Sequence, residues 1–131
     1  MENCPSHIEP WTRMLLGAGG YPAPARLAGQ FDAAKITRLC ECGCNSFDVE
    51  VVGQKRLRPL VLPQGQGGMI FETNLVLDDG RQIALLVFCD KDGNLAGVDV
   101  DFEGNSAPVP SDLVFSSPPV PVYSSPHILP D

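Results

Sequence analysis

The chain has 131 residues, 44% of them apolar, and a formal charge of −7. That length fits one domain and buries enough surface to fold without a metal or disulfide staple. An acidic field repels nucleic acid and membrane phosphates and steers basic partners inward.

The charge is uneven. Residues 1–40 balance to +1 and residues 41–60 to zero, whereas residues 61–104 carry eight acids against Arg81 and Lys91. Residues 1–16 show no basic segment followed by an apolar run, so no secretory signal is expected. The longest apolar run is about seven residues, against the ~20 that span a bilayer. Together these predict a cytoplasmic protein with reduced thiols.

In chain order, residues 6–16 predict a short helix. Ser6 and Glu9 have capping-box spacing, and Trp11, Met14 and Leu15 share one face. Residues 24–33 predict a second helix, with Pro24 at its start and Leu27 and Phe31 four apart. Both helices are expected to cover one face of a sheet. Phe47, Val49 and Val51 alternate with Asp48 and Glu50, which predicts a hairpin of 35–41 with 46–52. Residues 53–68 are expected as a loop holding the basic cluster Lys55-Arg56-Leu57-Arg58, with a short edge strand expected at Leu60–Leu62.

Residues 69–103 then read as a three-stranded antiparallel meander, turned at Asp78-Asp79-Gly80 and Asp90-Lys91-Asp92-Gly93-Asn94. Its middle run, Ile83–Cys89, is apolar throughout, so it offers apolar side chains to both faces. Its last run sets Val98, Val100 and Phe102 between Asp99, Asp101 and Glu103. Seven of the thirteen prolines lie between 108 and 130. Proline removes ladder donors, so 105–131 is expected as an extended tail not packed as regular structure, either lying along the sheet or disordered, beside a domain of residues 1–104.

Three motifs invite chemistry. Cys40-x-Cys42-x-Cys44 puts three thiols on one side of an extended strand, and thiolates ligate zinc, with Cys4 or Cys89 available as a fourth. No second cysteine knuckle accompanies them. Small buried residues at a tight turn are the favoured reading, with a zinc-binding or redox module as the alternative. Asp90, Asp92 and Asn94 imitate the start of a calcium loop, but Leu95 stands where the sharp turn needs glycine. Asp99, Asp101 and Glu103 lack a nucleophile or ligating histidine nearby, so a solvated face is expected rather than catalysis, its apolar centre either covered by the proline-rich tail or open as a partner site.

The segment from Leu27 to about Pro110, with Cys40-Glu41-Cys42-Gly43-Cys44 followed by the meander and Gly104–Pro110, resembles a group of small uncharacterised bacterial proteins with a CxCGC turn. That resemblance implies a bacterial origin and a shared fold, and carries no activity. In charge, size and lack of a catalytic constellation the chain is also similar to immunity proteins of bacterial polymorphic toxin and contact-dependent inhibition systems. Those proteins are commonly small, acidic and non-enzymatic, and they occlude basic nuclease toxins.

The sequence thus predicts an α+β fold: two short N-terminal helices on an antiparallel sheet of about five strands. It predicts a non-enzymatic binder of a basic protein, such as a toxin domain, with no cofactor, nucleic acid or membrane. The expected contacts are Asp48, Glu50, Glu72, Asp78, Asp79, Asp99, Asp101 and Glu103.

Overall fold

The structure is a computed structural model. It describes residues 5–17, 20–40, 46–51, 58–62, 66–103, 109 and 118–131, the first three as backbone only. Two helices, α1 (Pro5–Leu16) and α2 (Pro24–Ala33), precede the strands β1 (Ala34–Leu39), β2 (Phe47–Val51), β3 (Gly68–Val76), β4 (Gln82–Cys89), β5 (Leu95–Phe102) and β6 (Val120–Ser124). The sheet is antiparallel throughout, in the order β1-β2-β5-β4-β3-β6.

Period-2 alternation sets the strands and their faces. In β4, Ile83, Leu85, Val87 and Cys89 are buried while Ala84, Leu86 and Phe88 are half-buried on the other side. Leu85 pairs with Val100 of β5 and Thr73 of β3, so one inward-facing row crosses three strands. Ile8, Trp11 and Leu15 of α1 and Leu27 of α2 join this core. Each such buried side chain contributes about 1.5–3 kcal/mol relative to leaving it in water. Helix α1 begins at Pro5, which places Ser6 inside it and Pro10 beyond its first turn.

The strand count is six rather than five, and the extra strand comes from the proline-rich segment. Residues 120–124 pair with β3, placing Pro121 opposite Thr73. A proline cannot donate to a ladder, but an edge strand needs donors on one side only. Thus the expectation that this segment stays out of regular structure fails at β6. Beyond it, Val61 bridges Ile128, and Leu129 N–H donates to Leu60 O at 2.9 Å. Asp131 then reaches α2: Ala25 N–H donates to its Oδ2 at 3.0 Å and Arg26 N–H to its Oδ1 at 2.8 Å. Residue 23 is an alanine with no capping side chain, so Asp131 satisfies helix donors that the local sequence leaves open. The Arg26 guanidinium donates in turn to Pro130 O and Pro59 O.

Candidate acidic binding face

The helices lie against the inner side of the sheet. On the outer side the register draws three rows. Met69, Phe88, Gly97, Asp48 and Arg38 form one; Tyr123, Glu72, Leu86 and Asp99 the next; Asn74, Ala84 and Asp101 the third. Apolar side chains of β4 thus run through the middle, with carboxylates on the strands to either side.

Five of the eight expected contact residues share this face: Asp48, Glu50, Glu72, Asp99 and Asp101. The other three do not. Asp78 and Asp79 sit in the β3–β4 turn, and Glu103 follows β5 at the same end of the sheet. There Asp79 pairs with Arg81, whose Nε donates at 2.7 Å, and this contact holds the Asp79 carboxyl below its usual range. Glu103 accepts from Gln82 N–H at 3.1 Å. Arg81 also lies over the Phe102 ring, 5.0 Å from its centroid. These contacts serve the turn. A register that alternates along strands cannot carry the turn acids onto the face.

On the face itself, Asp48, Asp99, Phe88, Ala96, Gly97 and Cys89 line a cleft of about 360 Å³. Gly97 lets β2 approach closely beside it: a Cβ there would stand 2.8 Å from Phe47 O and 3.0 Å from Asp48 Oδ1. The Asp99 carboxyl is pushed above its ordinary range, first by burial and then by Asp48; Arg38 opposes the shift, and Asp101 adds a smaller push upward. Arg38 Nε contacts Asp48 Oδ2 at 3.1 Å, an exposed pair of the kind that contributes about 0–1 kcal/mol. Asp101 Oδ1 and Asn74 Oδ1, on either side of Ala84, are closed off from water and have no hydrogen-bond partner among the described residues. Crowded carboxylates in a half-dry setting favour the arrival of a cation.

The cysteine motif lies mostly outside the described residues, which include Cys40 and Cys89 but not Cys4, Cys42 or Cys44. Cys40 N–H donates to Ser46 O at 3.0 Å and closes the β1–β2 hairpin. Cys89 is buried, and burial pushes its thiol pKa up, which suppresses the thiolate that ligates metal or attacks. Among the described residues no group of three or more His, Cys, Asp or Glu is placed to hold a metal ion.

The calcium-like turn is a hairpin turn. Asp90 Oδ1 accepts from Asp92 N–H at 2.9 Å and Asn94 N–H at 3.0 Å, and Gly93 adopts φ 82°. Gln30, fully buried on α2, locks this turn from below. Its Nε2 donates to Asn94 Oδ1 and Arg58 O, and its Oε1 accepts from Leu95 N–H at 2.8 Å. Sequence reasoning missed Gln30. The available signal was a polar residue three places from Leu27 on the apolar stripe of α2.

No helix among the described residues is long and apolar enough to cross a membrane. Neither a protein-family model, nor a curated protein, nor a solved structure matches the chain.

Proposed function

We propose that this chain is a non-enzymatic binding protein that takes a basic protein partner on the outer face of its sheet. In its specific form it is a cytoplasmic immunity protein that neutralises a basic bacterial toxin, such as a nuclease domain, by covering it. The observation that supports this reading is the cleft between Asp48 and Asp99. Two carboxylates face a floor that includes Phe88 and a bare glycine, with one arginine nearby to offset them. A lysine or arginine of a partner fits such a place, its aliphatic stem on Phe88 and its charge between the acids. Leu86 and Ala84 extend the apolar contact, and Glu72, Glu50 and Asp101 surround it in the manner of an interface with an apolar centre and a charged rim.

A photo-crosslinking residue at Leu86, used in the native host, is expected to capture a protein of basic pI. The double variant Asp48→Lys/Asp99→Lys is expected to weaken its binding about tenfold or more, chiefly through slower association at low salt. Unchanged affinity in that variant, or capture of an acidic protein, overturns the reading.

A further inference from the structure

The two edges of the sheet are closed in different ways. β6 carries Pro121 within it and is preceded by Pro118 and Pro119, each of which removes a backbone donor from that edge. β1 contains no proline, is exposed along most of its length, and pairs only with β2 among the described strands. Its other side pairs with no strand among the described residues, and an edge of that kind is the usual template for an added strand. A bulge between Ile36 and Arg38 interrupts the ladder, which limits any added pairing to a short segment.

Beside this edge lies a groove of about 370 Å³, bounded by β1, β2 and both helices. Leu16, Phe31, Ile36 and Phe47 give it apolar walls, and its two charged lining residues are Glu9 and Asp32. Ile36 stands 36% exposed at its mouth. Ala34 and Ile36 point to this inner side, opposite Val51 and Val49. Lys35 and Arg38 point to the outer side, opposite Glu50 and Asp48. The edge therefore has two chemically distinct sides, one apolar with acids at the rim and one cationic.

We propose that β1 accepts an extended segment of a partner protein as a further strand, with alternate apolar side chains entering the groove and acidic side chains between them facing Lys35 and Arg38. The strand already paired with β1 has this pattern. β2 reads Phe47-Asp48-Val49-Glu50-Val51, apolar inward and acidic outward. An added strand of the same pattern repeats that pairing on the open side and places each cation between two acids. Glu9 and Asp32 reject acids at the groove-facing positions, so the phase of the alternation is fixed. A second copy of this chain is the wrong occupant, because two antiparallel β1 edges would set Lys35 and Arg38 against their own counterparts.

The test uses the whole protein and three acetylated, amidated nonapeptides. One alternates valine with aspartate and glutamate, one replaces the acids by lysine, and one places prolines at alternate positions. Fluorescence anisotropy is expected to show binding of the acidic peptide, about tenfold or more weaker binding of the lysine peptide, and none of the proline peptide. Amide exchange within residues 34–39 should slow only with the acidic peptide. The double variant Lys35→Glu/Arg38→Glu, on exposed positions, should reverse the preference between the acidic and lysine peptides. Equal binding of those two peptides, protection confined to other strands, or a concentration-dependent dimer that buries β1 in the absence of peptide overturns the proposal.

Discussion

The two faces of the central strands differ in what they do with the same residue types. β4 is apolar on both sides, yet Leu85 is fully buried while Leu86, next in sequence, is only partly so. Inward, Leu85 meets Thr73 and Val100 beneath two helices. Outward, Leu86 sits between Glu72 and Asp99. The inner face spends its apolar surface on folding; the outer face keeps some in reserve beside charges that repel one another. Stability should therefore answer to the inner face, and binding to the outer.

The largest break of this contrast is Leu85→Ala, which should cost about 2–5 kcal/mol in a denaturant titration. Leu86→Ala should cost markedly less; equal costs would erase the distinction between the faces. Next comes Gln30→Ala. It strands the buried Leu95 N–H and frees the β4–β5 turn, at about 1–3 kcal/mol, and should speed amide exchange at Leu95 above all.

Asp99→Asn should have the smallest effect on stability, with the opposite sign. The Asp99 carboxyl pKa is raised in the folded protein, so the native state holds its proton more tightly than the unfolded chain. Stability is then lost as pH rises from the unfolded carboxylate range through the raised pKa. The variant should melt slightly higher than the parent at neutral pH, and the difference should vanish in acid. Its partner binding should weaken at neutral pH, and the parent's affinity should fall as acid protonates Asp99. A variant that melts lower at neutral pH would mean that Asp99 supports the fold rather than awaiting a cation.

Much of the fold was legible because burial imposes periodicity. The alternation in 47–51 and 95–102 and the Asp/Gly turns gave the hairpins and meander, and Leu27 and Phe31 gave the face of α2. What escaped depends on partners distant in sequence. Proline in 118–121 argues against a strand until the chain is known to lie at an edge. Gln30 looks like a surface residue until the turn at 90–94 arrives above it. The candidate site was half legible for the same reason. Alternation placed Asp48, Glu50, Asp99 and Asp101 on one side and extended the same run to Glu103, and composition added Asp78 and Asp79; register and local pairing assign these last three to the end of the sheet. The close approach of β2 to β5 depends on Gly97, whose missing side chain gives no sequence signal beyond a break in the alternation of β5.

The contact of Asp131 with the start of α2 has a kinetic consequence. It joins residues that lie 105 and 106 positions apart in sequence. Closing so long a loop costs entropy that only an assembled sheet offsets. The clasp should then form after the main folding barrier and open early in unfolding. Asp131→Ala should leave the refolding limb of a stopped-flow chevron in place and raise the unfolding limb. An equal slowing of refolding would instead put the clasp in the folding nucleus. Resistance to slow unfolding would thus rest partly on a carboxylate at one end of the sequence, far from the strands that fold first.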